Sequence, residues 1–329
     1  MIIGVVIGEF VPGVQAAFET AQFRGVSAPI AVGLIVMMWP ILTKVHFESL
    51  PGLFQTREHW KHISISIFVS WIAGPFLMLG LAWATLPDLP EYRTGVILVG
   101  LARCIAMVMV WNQLARGDMD FCAVLVIINS VLQIVLYSPL AVLFINVIGH
   151  EKAGLHLHYG DVAISVLIYL GIPLAAGCAT RYAVWASAGK TFLDEQFSPY
   201  FGLLSLLGLL YTIIVMFAYQ GSAIVHNLGP VFRTMVPLVL YFVVVWTAIL
   251  MWMRSLGIRY ERAIVQSFTA GSNNFELAIA VAIAVYGIDS RQALAATIGP
   301  LVEVPVLLAL AWVALYLRVK LRWNAQFAG

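Results

Sequence analysis

Apolar runs recur from one end of this chain to the other, each parted from the next by a few polar residues, glycines or prolines. Ten runs read as helices, at residues 2–14, 27–43, 63–86, 94–115, 121–147, 162–187, 199–220, 230–253, 263–287 and 293–317. All but the first approach the roughly 20 residues a helix needs to cross a bilayer. The first is too short, so the chain is expected to begin inside its first helix. The widest polar break, 149–160, carries His150, Glu151, Lys152, His156 and His158 and divides the ten into two sets of five. The pattern predicts an all-α polytopic membrane protein in a lipid bilayer.

Five spans is an odd number, so the second set would enter the membrane upside down relative to the first. This gives inverted repeats at 1–153 and 154–329. An offset of 170 residues lays Cys104 on Asn274, Gly117 on Gly287 and Gln133 on Glu303, and only the glycine is identical. The hydropathy is more informative. Spans four and nine are each interrupted at matching depth, by Ala102-Arg103-Cys104 and by Gly271-Ser272-Asn273-Asn274-Phe275-Glu276. A Gly-Ser-Asn-Asn run weakens a helix and offers side chains that compete for backbone hydrogen bonds. Unwound backbone at that depth needs protein or a wet cavity around it. The two broken helices are therefore expected to cross at the membrane centre. Pro40, Pro75, Pro139, Pro173, Pro237 and Pro305 read as kinks.

Composition agrees: 62% of the 329 residues are hydrophobic and 10% charged, against about 25% charged in soluble domains. A net charge of +2 with no basic tail gives no reason to expect a nucleic-acid partner. The cysteines, 104, 122 and 178, are scattered through apolar runs, which excludes a disulfide framework or a Cys-x-x-Cys metal site. With a cytoplasmic N-terminus, the inner segments hold twelve Lys and Arg against four or five outside. Both termini are therefore expected in the cytoplasm.

Three ionisable residues fall deep in the spans: Arg103, Glu276 and Glu303. Charge at that depth costs a few kcal/mol even on lenient scales and marks function by default. One cation against two acids leaves one carboxylate without a fixed partner, free to be neutral or charged. Such a group is what a proton-coupled carrier requires. Glu276 reads equally as a neutraliser of Arg103; for Glu303 the structural alternative, a helix tie ahead of Pro305, is the lesser one. Arg103 reads equally as a clamp on the carbonyls of a broken helix. Cys104 stands next to Arg103, where a thiol would meet a positive field; on spacing alone, a ligand and a small hydrophobe are equally open. Cys122 and Cys178 read as hydrophobes. Asn112 and Ser130 are further polar groups at depth, and Asn129, Gln133 and Tyr137 line one helical face suited to interhelical hydrogen bonds. No histidine falls inside a span.

GLARCIAMVMVWNQLARGD (100–118), NSVLQIVLYSPL (129–140), GSNNFELAIAVAIAVYGI (271–288) and IGPLVEVPVLLAL (298–310) resemble the arsenical-resistance arsenite efflux permeases. These belong to the bile acid/arsenite/riboflavin transporter superfamily. The likeness covers nearly all ten spans and looks most like the fungal branch. It implies discontinuous fourth and ninth helices that cross. It also implies a core domain of spans 3–5 and 8–10 and a panel domain of spans 1–2 and 6–7. The implied activity is export of arsenite, and of antimonite, against proton entry at the plasma membrane, with no cofactor. The family's functional cysteine and glutamate match Cys104 and Glu303, the latter also the proton-coupling group. Its asparagine-rich break matches Ser272, Asn273, Asn274 and Glu276. Arg103, Asn112 and Asn129 complete the expected substrate-binding set.

The chemistry fits that implication, since trivalent arsenic is soft and prefers sulfur. One thiol lets the metalloid go, where three would trap it. A sodium-coupled organic anion symporter of the same fold is the main rival, because Asn273, Asn274, Glu276 and Gln133 could ligate a hard cation through oxygen. A channel, or an acyltransferase built on His156 and Asp161, is the more distant alternative.

Overall fold

Apolar sequence in a bilayer leaves the backbone only itself to hydrogen-bond with, and helix is the outcome. The computed structural model describes residues 2–11, 22–23, 26–45, 47–49, 57–149 and 157–323. Counting short π-helical turns with the helices they interrupt, the described helices are α1 (Ile2–Phe10), α2 (Ala28–Thr43), α3 (57–85), α4 (Pro90–Leu101), α5 (Met107–Leu114), α6 (Met119–Ile148), α7 (Tyr159–Ala188), α8 (Lys190–His226), α9 (Leu228–Ser255), α10 (Tyr260–Ala270), α11 (Phe275–Tyr286) and α12 (Arg291–Lys320). One two-residue hairpin, β1 (Gln22–Phe23) with β2 (Val26–Ser27), precedes α2. Six of the described helices are long and apolar enough to cross a membrane: α3 from Trp60 onward, α6, α7, α8, α9 and α12. The protein is an integral, polytopic membrane protein.

Two of the six expected kinks coincide with a loosened helix, while Pro40, Pro139, Pro237 and Pro305 lie inside continuous helices. Wide π-turns at Val69–Ala73 and Leu167–Gly171 stand just ahead of Pro75 and Pro173, rings that cannot donate to the ladder. Two expected spans are each two helices: α4 and α5 are parted by residues 102–106, and α10 and α11 by 271–274.

α1 and α2 pack on α8, and α7 packs on α2. α4 lies against α12 and α3, α9 against α3, α10 and α12, and α11 between α12 and α7. Polar connections collect at two ends. At one, Arg318 pairs with Glu261 at 2.7 Å, Tyr260 donates to Ala115 O at 2.9 Å, and the buried Arg181 pairs with Glu48 at 2.5 Å. At the other, Arg233 grips Asp88 with two hydrogen bonds of 2.5 and 2.7 Å, and Arg291 pairs with Glu91 at 3.0 Å. Those bonds from Arg233 hold the Asp88 carboxyl down at about 2. The pair is therefore intact above the ordinary carboxylate range and is lost only as pH falls through about 2.

His62, expected ahead of its span, is buried within α3, and its carbonyl accepts from Gln266 Nε2 at 2.7 Å. His150, Glu151, Lys152 and His156 lie outside the described residues, so the His156–Asp161 spacing has no placement.

Candidate functional site

The site begins as a backbone problem. Where α4 ends, Ala102 turns extended (φ −81°, ψ 118°), and Arg103 makes an isolated antiparallel bridge with Asn273. Asn274 N–H donates to Ala102 O at 3.0 Å. Asn273 Nδ2 donates to Val99 O at 2.9 Å and to Ala102 O at 3.2 Å. Each break thus supplies donors or acceptors that the other lacks, which makes unwound chain tolerable at membrane depth. Arg103 and Asn273 are also a pair under the 170-residue offset.

Extended backbone sends successive side chains to opposite sides, and so Arg103 and Cys104 part company. Arg103, fully buried, donates through Nη1 to Tyr241 Oη at 2.9 Å and through Nη2 to Gly100 O. Tyr241 passes a hydrogen bond on to Ala270 O at 3.0 Å. The guanidinium therefore serves the carbonyl ends of both α4 and α10, where the helix dipoles are negative. No carboxylate among the described residues lies within ion-pair distance of it. The reading of Glu276 as its neutraliser is overturned, and the clamp reading holds.

Cys104 faces the other way. Its sulfur accepts from Val108 N–H at 3.2 Å, and the Ser272 hydroxyl stands beside it. Ser272 in turn donates to Phe268 O at 2.6 Å. Glu303 and Glu276 are close enough to act on the thiol, while the Arg103 guanidinium is turned to Tyr241 and Gly100. Glu303 is buried on α12 beside the backbone N–H of Asn273, and its Oε1 has no partner. Glu276 sits in the first turn of α11, whose dipole favours an acid, and Asn274 caps that helix by accepting from Leu277 N–H at 3.1 Å.

The polar face of α6 reaches the same crossing. Gln133 Oε1 accepts from Arg103 N–H at 2.5 Å, Asn129 Oδ1 accepts from Trp71 Nε1 at 3.0 Å, and Tyr137 donates to Leu98 O at 3.1 Å. Six buried polar atoms here have no partner: Glu303 Oε1, Gln133 Nε2, Asn129 Nδ2, Asn273 Oδ1, Asn274 Nδ2 and Arg103 Nε. Orphaned donors and acceptors together are what a small hydroxylated ligand satisfies. Asn112 is the exception among the expected residues. It lies eight residues along from Cys104, about 12 Å at helical rise, and donates to Val108 O and to Cys122 Sγ at 2.8 and 3.3 Å. Cys122 is thus a bonded group rather than a mere hydrophobe. Tyr241 and Trp71 escaped sequence reasoning because an aromatic in an apolar run gives no signal. Gln133 did give one, in its offset to Glu303.

A cavity of about 350 Å³ lies between α5 on one side and α2 and α8 on the other, reaching from Lys44 and Gln113 to Ala106 and Met107, just past Cys104. A larger one, about 650 Å³, lies around His62, Asp118, Arg259 and Arg262, none of which belongs to the crossing. The smaller one borders the break that carries Cys104, through Ala106 and Met107.

A helical membrane protein with a buried, partly unsatisfied polar crossing has the build of a secondary transporter. The Sodium Bile acid symporter family matches residues 31–227. The chain is 42% identical to the Arsenical-resistance protein Acr3 of Corynebacterium glutamicum, over 98% of this chain and 87% of that protein. It is 29% identical to the Arsenical-resistance protein Acr3 of Alkaliphilus metalliredigens, over 94% and 87%. An uncharacterized transporter of Synechocystis is 32% identical, over 94% and 84%. The chain belongs to the arsenical-resistance transporters of the Sodium Bile acid symporter family. It is a transporter and not an enzyme. These relatives are bacterial, so the expected fungal affinity is not borne out.

Proposed function

We propose that this protein exports arsenite, and antimonite by the same chemistry, from the cytosol in exchange for protons. It does so at the plasma membrane with both termini cytoplasmic. In this reading the chain has ten spans in two inverted five-helix repeats. Its core is built from α3–α6 and α9–α12, and its panel from α1, α2, α7 and α8. The separate packing of α1 and α2 on α8 supports that division, and the lysine- and arginine-rich end is the cytoplasmic one.

The observation that carries the reading is the face of the crossing that holds one thiol under the influence of two carboxylates, with Glu303 Oε1 unpartnered. Arsenous acid enters neutral from the cytoplasmic cavity. Cys104 sulfur bonds to arsenic, one As–O bond breaks, and the hydroxyl leaves with the thiol proton as water. The remaining hydroxyls meet the orphaned amides and Glu303, which is ionised at this stage. A proton from outside then neutralises Glu303, and water cleaves the S–As bond to release arsenous acid.

Everted vesicles under an imposed pH gradient test this. Glu303→Gln should lose proton-driven arsenite accumulation, and uptake at the wild-type rate would refute coupling through that residue. Asp88 and Arg233 stay paired throughout, because such an experiment comes nowhere near a pH of about 2. Replacing sodium by choline at fixed pH should leave flux unchanged, whereas a sodium symporter would stop.

A further inference from the structure

Two different side chains stand at matching places about the two breaks. Gln133 on α6 accepts from the backbone N–H of Arg103, thirty residues before it. Glu303 on α12 stands beside the backbone N–H of Asn273, likewise thirty residues before it. Arg103 and Asn273 are themselves bridged. Both side chains are buried, and each keeps one atom without a partner, Nε2 on Gln133 and Oε1 on Glu303. The two places are therefore equivalent about the bridge. They differ in a single respect: one side chain can take up and lose a proton and the other cannot.

We infer that Gln133 is the uncharged counterpart of Glu303, a positioning residue that holds the Arg103 half of the crossing and, by being an amide, limits the carrier to one titratable place there. This rests on the transport reading above. An amide suits the position for two reasons. It accepts from Arg103 N–H as a carboxylate would, and its free Nε2–H can donate to a substrate oxygen while Glu303 accepts from a substrate hydroxyl. A second carboxylate would add a buried charge that Arg103, turned toward Tyr241 and Gly100, is not placed to offset.

The alternative is that Gln133 merely ties α6 to α4, and proton coupling separates the two. In everted vesicles, Glu303→Gln alone should cut pH-driven arsenite uptake about tenfold or more. The exchange Gln133→Glu with Glu303→Gln should recover a substantial part of it, because the acid is restored at the equivalent place. Gln133→Glu alone should keep uptake and steepen its dependence on lumenal proton concentration from about first to about second power. Fluorescence-detected size exclusion reports whether each variant is folded, and if the exchange variant is not, the proton dependence of Gln133→Glu decides. The inference is overturned if a folded exchange variant is as inactive as Glu303→Gln, or if active Gln133→Glu keeps a first-power dependence. Wild-type uptake by Glu303→Gln would instead overturn the coupling reading and this inference with it, so the single variant tells the two failures apart.

Discussion

Arg103 and Cys104 are neighbours with separate tasks, and the separation is made by a single extended residue pair. The arginine stabilises the broken ends of α4 and α10 through Gly100 O and Tyr241, while the thiol faces Ser272 and the acids. Arg103→Met leaves one buried carbonyl, Gly100 O, and the Tyr241 hydroxyl without their donor, at about 1–3 kcal/mol for each unsatisfied group. The expected result is a clear fall in the melting temperature of detergent-solubilised protein, together with loss of flux. Arg103→Lys should recover only part of both, since a point charge cannot reach Gly100 O and Tyr241 as a fork does. Cys104→Ala should do the opposite, abolishing arsenite flux while leaving the melting temperature nearly unchanged. Equal destabilisation by the two would mean that the residues act as one unit. The sequence made both residues conspicuous, a charge and a thiol in an apolar run. It was silent on direction, because the backbone that turns them apart is fixed by a strand-like contact with Asn273, far along the chain.

At the level of elements, the break at 271–274 was legible in its Gly-Ser-Asn-Asn composition, with Asn274 in a helix-capping role that its type allows. The break at 102–106 carries no glycine or proline and was legible only through its charge. What holds it open is supplied by α6 and by the break at 271–274, which local sequence does not show. The start of α11 is fixed in another way: the Phe275 ring lies so close over Gly299 of α12 that a Cβ there would fall 1.7 Å from it. Gly299→Ala should displace the ring and the first turn of α11 with Asn274 and Glu276, at about 1–3 kcal/mol for overpacking. Arsenite transport should fall with it. Adding Phe275→Leu to Gly299→Ala should restore much of both stability and transport, which thermal unfolding and vesicle uptake would report. No recovery in the double variant would place the role of Gly299 elsewhere.

The whole molecule shows one end closed and the other open. Toward the end that carries Asp88, α8 is tied to the connection between α11 and α12. Tyr219 donates to Asp289 Oδ1 at 3.1 Å, and Gln220 Nε2 donates to Ile288 O at 3.2 Å. Toward the opposite end, the cavity beside Lys44 and Gln113 parts α2 and α8 from α5. Hydropathy and loop charge made the ten runs and the two ends readable, but they could not show which end is shut, since that depends on single side chains meeting across distant helices. Under the proposed exchange with both termini cytoplasmic, and with one bundle rocking against another, this would be the state open to the cytoplasm, and release outside would require the Tyr219 and Gln220 contacts to part. With Cys122→Ser and Cys178→Ala, an impermeant thiol reagent should therefore reach Cys104 from the cytoplasmic face faster than from the outer one. Joining Gln220→Cys to Ile288→Cys with a short bifunctional reagent should stop arsenite efflux yet leave cytoplasmic labelling intact. Tyr219→Phe with Asp289→Asn should shift labelling toward the outer face, because the closed end then loses a charge-assisted bond while the cavity end is untouched. Undiminished efflux after cross-linking would show that these contacts do not close the outer path.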